Sequence, residues 1–156
     1  MKPTSLQILL LRLIVGGLFV TLALDKYHEG WLTNPEPLRV SLTEYQQRAT
    51  GTQLKFLEYV AIPYAGMWAK CIIIGEGCIA ISLLLGLLVR LSSAVGIFML
   101  LNFRAANGNL FSWKFFSSPW AGLLFSCLLI LLLVRAGRWA GVDALLAKSN
   151  SKGVFW

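Results

Sequence analysis

A carboxylate in the middle of an apolar run is the residue in this sequence best placed to do chemistry. Glu76 follows Ile72-Ile73-Ile74-Gly75 and precedes Gly77, and the two flanking glycines let another backbone or a ligand come close. A charge inside a bilayer costs about 3 kcal/mol on insertion scales, so one found there marks a partner, a ligand or a proton path. Counting outward from Arg90, Glu76 lies fourteen residues along one apolar run, and Asn102 and Arg104 lie twelve and fourteen along the next. Antiparallel helices would bring these three to one depth, which makes Asn102 and Arg104 the expected partners of Glu76. The long Arg104 side chain can turn inward or reach the headgroups. Arg12, six residues inside the first apolar run, can likewise snorkel or face inward, whereas Lys70 is expected to reach the headgroups. Two readings of the polar set compete: a ligand or proton pocket, and a buried ion pair with hydrogen bonds that fixes helix register.

Other chemistry is thinly supplied. His28 is the only histidine, which excludes a b-type haem held by two histidines of this chain. With Tyr27 and Trp31 beside it, His28 could line a quinone or pigment pocket at the outer interface, but a solvated loop histidine explains it as well. Tyr27, Trp31, Tyr59, Tyr64, Trp68, Trp113 and Trp120 fall near the expected outer boundary, where an aromatic belt accounts for them. Three cysteines spell no CxxC or CxxCH, and no metal site is expected. On one helix Cys71 and Cys78 would be separated by about 10.5 Å of rise, too far for a disulfide.

Composition identifies the elements that must position these residues. Hydrophobic residues make up 57% of the 156 and charged ones 13%, too apolar for a soluble globule or a disordered chain. The apolar runs at 6–24, 66–89, 91–107 and 117–134 contain only four charges: Arg12, Lys70, Glu76 and Arg104. About 20 helical residues cross a bilayer core, and backbone groups in lipid must be satisfied internally, so each run reads as a membrane helix. The net charge of +7 has no dense basic cluster behind it, and no nucleic-acid partner is expected. Arg12 interrupts the first run, which is too long for a signal-peptide core, so it reads as a retained helix.

The expected fold is thus all-α: one integral membrane four-helix bundle with a structured first extramembrane loop, 25–65, and a C-terminal interfacial segment and tail, 135–156. In the loop, Pro35 and Pro37 stop any continuation of the first helix. Ser41 with Glu44 reads as a capping box opening a short helix that Gly51 ends, followed by a surface segment from Leu54 to Val60. Arg90 is expected in a tight turn between the second and third spans. Arg138 to Lys148 reads as an interfacial helix anchored by Trp139. Phe155 and Trp156 either dip into headgroups or dock on a neighbouring subunit. Basic residues crowded close to the helix ends favour both termini in the cytoplasm.

Several ordered motifs carry a family resemblance. They are Leu11-Arg12-Leu13 leading to Gly16-Gly17 and Lys26, Gly75-Glu76, Leu85-Gly86-Leu87 before Arg90, Asn102-Phe103, and Ala136-Gly137-Arg138-Trp139 with Asp143. Together they resemble the DoxX/DoxD family, whose members include the small subunit of thiosulfate:quinone oxidoreductase. The resemblance implies a four-helix fold of the bacterial or archaeal inner membrane, with Arg12, Glu76, Arg90, Asn102 and Arg138 as signature polar positions. It also implies a membrane subunit of a quinone-linked electron-transfer complex, needing a partner subunit for any oxidoreductase activity. A pocket around Glu76, Asn102, Arg104 and Arg12 would then take a quinone headgroup; no motif encodes a cofactor, and bound quinone or lipid is the ligand expected. The alternative is a non-catalytic accessory subunit packed against a larger respiratory or photosynthetic assembly. A transporter finds no internal repeat or broken-helix pair in support.

Overall fold

The computed structural model describes residues 5–108, 119–134, 136–138 and 141–144. Helix α1 spans Ser5–His28, α2 Glu36–Gln46, α3 Gly51–Phe56, α4 Ala65–Leu85, α5 Val89–Ala106 and α6 Pro119–Val134. A π turn, Leu57–Ala61, continues α3, and a 3-10 turn, Ala136–Arg138, follows α6. No strand occurs among the described residues, so the protein is all-α. α1, α4 and α5 are long and apolar enough to cross a membrane, and α6 is a shorter apolar helix. These four form the membrane bundle.

Each long helix turns one stripe inward. On α1 the stripe is Ile8, Arg12, Val15 and Phe19, all buried, spaced by three or four residues as one helix face requires. On α4 it is Ala65, Ala69, Ile73, Glu76, Ile79 and Leu83. α1 and α4 pack most extensively against one another, and α5 packs mainly against α6. The opposite faces, such as Leu10 and Ile14 on α1 and Ile74 and Ile81 on α4, are exposed, as lipid-facing side chains should be. Lys70 is exposed as well, turned away from the bundle interior.

One end of the bundle is closed by a polar knot. α4 stops at Gly86, whose φ of +70° is left-handed and suits glycine at a helix end. Leu88 follows at φ +52°, a costly conformation for a branched residue, kept by what surrounds it. Asp143 supplies that restraint: its carboxylate accepts hydrogen bonds from the N–H of Leu88 at 2.7 Å and of Val89 at 3.1 Å. Its own N–H donates to the Gly86 carbonyl at 2.9 Å. A carboxylate from the C-terminal segment thus caps the N-terminus of α5, where orphan donors and the helix dipole favour negative charge. Arg12, 2% exposed, occupies the same knot and donates to the Ala136 carbonyl at 3.4 Å. A methyl added at Gly86, Gly137 or Gly141 would collide with Arg12, Asp143 or neighbouring backbone, so these glycines are required for close approach.

The other end is closed by the first loop. Leu38 and Leu42 of α2, Leu57 and Ala61 of the π turn, and Trp31 bury themselves against Ala65 and Ala69 of α4 and Ala106 of α5. Gln53 ties α3 down by donating to the Ala106 carbonyl at 2.8 Å.

Three local expectations are corrected. Ser41 does not cap a helix; it lies inside α2, donating to the Pro37 carbonyl, because proline fits a first helical turn and lets the helix begin at Glu36. The Asn34 side chain accepts the Glu36 N–H instead, and Gly51 opens α3 rather than ending a helix. The hairpin turns at Gly86–Leu88, and Arg90 falls in the first turn of α5, its Nε donating to the Leu132 carbonyl of α6 at 3.2 Å. Most of the expected interfacial helix, with Trp139, and the tail residues Phe155 and Trp156 lie outside the described residues.

Asp143→Ala strips the Leu88 and Val89 N–H groups of their acceptor at the N-terminus of α5, and is expected to destabilise the bundle by about 3 kcal/mol. Asp143→Asn, which keeps an acceptor, should lose less. Denaturation in detergent micelles followed by circular dichroism checks both, and wild-type stability in the alanine variant would remove the knot from the account.

Candidate functional site

Glu76 is 4% exposed, on the buried stripe of α4, where a carboxylate needs a counter-charge. Lys26 provides it. Its Nζ lies 2.8 Å from Glu76 Oε1, also donates to the Leu22 carbonyl at 3.4 Å, and sits 5.6 Å from the centroid of the Trp31 ring. Lys26 reaches this position because α1 runs to His28, one turn past the expected end, and because Arg12, Phe19 and Lys26 are seven residues apart on one helix face. Among the described residues the other carboxylate oxygen, Oε2, is buried without a hydrogen-bond partner.

Glu76 and Lys26 line a cavity of about 360 Å³ among α1, α4, α5 and α6. Arg104 lines it from α5, Tyr45 from α2, and Phe19, Phe103 and Trp120 add aromatic walls. The volume is within the ~300–1,000 Å³ typical of ligand pockets. Lys26 and Arg104 line the cavity together with Glu76, so it presents N–H groups to the oxygen atoms of a ligand and one carboxylate oxygen able to accept a proton. Apolar walls would hold the rest.

The polar set expected from the sequence does not assemble as a whole. Arg104 shares the cavity with Glu76, but Asn102 does not. Two residues apart on a helix are about 200° apart around its axis, so matched depth could not bring both to Glu76. Asn102 instead donates to the Phe98 carbonyl of its own helix at 2.8 Å and lines a separate apolar groove. Arg12 is also outside the cavity: fourteen residues from Lys26 on α1, it is about 21 Å away along the axis, bound into the Asp143 knot. Of the outer-interface candidates, Trp31 joins the site beneath Lys26, its Nε1 donating to Glu29 at 2.7 Å. Tyr27 and His28 are exposed, with ring centroids 6.0 Å apart.

Two site residues escaped the sequence reading. Lys26 lies beyond the first apolar run and enters the sequence analysis only through its motif, although its heptad spacing from Phe19 and Arg12 is a usable signal. Tyr45 had none, because its place follows from the fold of the first loop over the bundle. Among the described residues no cluster of histidine, cysteine and acidic side chains is arranged to hold a metal ion.

Comparison with known proteins agrees with the motifs from Arg12 to Asn102-Phe103. The family model described as DoxX matches residues 7–104, which include Arg12, Lys26, Glu76 and Arg104. No curated protein and no solved structure matches the chain.

Lys26→Met alone leaves the Glu76 carboxylate buried without its cation and is expected to cost about 3 kcal/mol of stability. The double variant Lys26→Met, Glu76→Leu should recover most of that loss, since an apolar pair of similar volume needs no desolvated charge. Unfolding of the two singles and the double in mild detergent gives the coupling; strictly additive losses would mean that the two side chains do not act as a pair.

Proposed function

The chain belongs to the DoxX family, and we propose that it is the membrane subunit of a quinone-linked electron-transfer complex, of the thiosulfate:quinone oxidoreductase type, with the Lys26–Glu76 cavity as its quinone site. The observation that carries the proposal is a buried carboxylate with one oxygen held by Lys26 and the other without a partner, on the wall of a cavity that also carries Arg104.

Each group has a task in this reading. Lys26 and Arg104 donate to the quinone carbonyl oxygens, where charge grows as electrons arrive, and fixed cations in a low-dielectric site stabilise it strongly. Glu76 exchanges protons with the ring oxygens. Quinone reduction consumes two electrons and two protons; a partner subunit supplies the electrons, and the cavity positions the ring and passes the protons. Phe19, Phe103 and Trp120 pack on the ring faces. The membrane is the bacterial or archaeal cytoplasmic membrane, with both termini inside, which puts the first loop, whose Tyr45 lines the cavity, at the outer side.

Gentle extraction of the native protein followed by organic extraction and mass spectrometry tests the site. Quinone should accompany wild type in near-stoichiometric amount and fall at least tenfold in Glu76→Gln and in Arg104→Met. A large partner held stoichiometrically, with full activity of that complex in Glu76→Gln, would overturn the quinone site and leave an accessory subunit.

A further inference from the structure

The polar cavity has an apolar neighbour. A groove of about 270 Å³ runs between α4 and α5 beneath the first loop, lined by Trp68, Cys71, Ile72 and Gly75 on α4 and by Val95 and Phe98 on α5. Leu38 and Leu42 of α2 roof it, and Asn102 is a rare polar group on its wall.

The two spaces share a partition. Met99 and Phe103 line both, and the adjacent residues Gly75 and Glu76 divide between them, Gly75 on the groove and Glu76 on the polar cavity. Met99 leans on the gap left by Gly75: a β-carbon there would sit 3.3 Å from its Sδ. An unbranched thioether over a glycine is an easily moved wall, since methionine has three rotatable bonds and no polar partner to break. At ~30 Å³ per heavy atom, the share of a water molecule in the liquid, the groove has room for about nine chain carbons.

We infer that the groove between α4 and α5 holds the hydrocarbon tail of the ligand whose headgroup occupies the Glu76 cavity, with the chain crossing between them at Met99 and Gly75. This rests on the quinone reading of the polar cavity and adds to it the class of ligand: an amphiphile with a long tail, not a free ring. A ring confined by Lys26, Glu76 and Arg104 gains only its own contacts, whereas the tail gains the apolar surface of the groove and fixes which edge of the ring faces α4. Ordinary bilayer lipid is the competing occupant.

Cys71 reports on the groove without any substitution. It is exposed on the groove wall, while Cys78, also exposed, lines neither space and serves as an internal control. Purified wild-type protein in detergent is treated with N-ethylmaleimide, alone, with decylubiquinone, or with the analogue carrying methyl in place of the decyl chain. Mass spectrometry follows the rate at each cysteine, and tryptophan quenching, with Trp120 at the polar cavity, measures binding. Decylubiquinone should slow Cys71 at least threefold and leave Cys78 unchanged, and the methyl analogue should bind without slowing either. In Val95→Trp, which fills the groove, decylubiquinone should bind no more tightly than the methyl analogue, whose affinity stays at the wild-type level. If both quinones bind and Cys71 reacts at the same rate with either, the tail lies elsewhere and only the headgroup site survives. Equal slowing of Cys71 and Cys78 would mean non-specific partitioning and would also overturn the inference. Binding of neither quinone would overturn the headgroup reading, and the tail site with it.

Discussion

A carboxylate cannot be left alone in a membrane interior, and the structure around Glu76 follows from that constraint. Desolvating a charge costs several kcal/mol unless a counter-charge and hydrogen bonds compensate. Lys26 meets the requirement from 2.8 Å, but only because α1 continues to His28 and presents Lys26 on the same face as Val15 and Phe19. The pair fixes the rotation of α1 against α4, the helix contact on which the bundle is built.

Arg12 completes the constraint at the far end of α1. It is buried beside Gly86, Gly141 and Asp143, so α1 is held by a charge at each end of one stripe. Rotation or sliding of α1 would break both attachments together. The two ends nevertheless differ in kind. Around Arg12 the glycines and backbone carbonyls close in until no room remains, and Asp143 is spent on capping α5 and holding Leu88 in a strained conformation. Around Glu76 a cavity stays open and, among the described residues, one carboxylate oxygen lacks a partner. Tight packing at one end provides the rigidity that lets the other end keep a space.

Legibility in the sequence followed the strength of the physical signal. The membrane helices were plain because apolar runs with four charges among them have no soluble alternative, and Glu76 was plain because a midspan carboxylate needs a reason. Helix depth is readable from distance to the turn, but depth leaves rotation open: Asn102 and Arg104 match Glu76 in depth, yet at about 200° apart only one can face it. The capping box at Ser41 failed because proline tolerates the first turn of a helix, so α2 starts earlier, at Glu36, whose N–H the Asn34 side chain accepts. Tyr45 and the roof over the α4–α5 groove were beyond reach, since they depend on how a loop of short helices folds back onto the bundle.

Isotope-edited infrared difference spectroscopy of the glutamate-labelled protein tests the central claim most directly, because it observes the Glu76 carboxylate while ligand arrives. Adding decylubiquinone to wild type should perturb a carboxylate band, and that change should vanish in Glu76→Gln. The same difference spectrum from both proteins would contradict the account, since ligand would then be binding without engaging the carboxylate that Lys26 holds on the cavity wall.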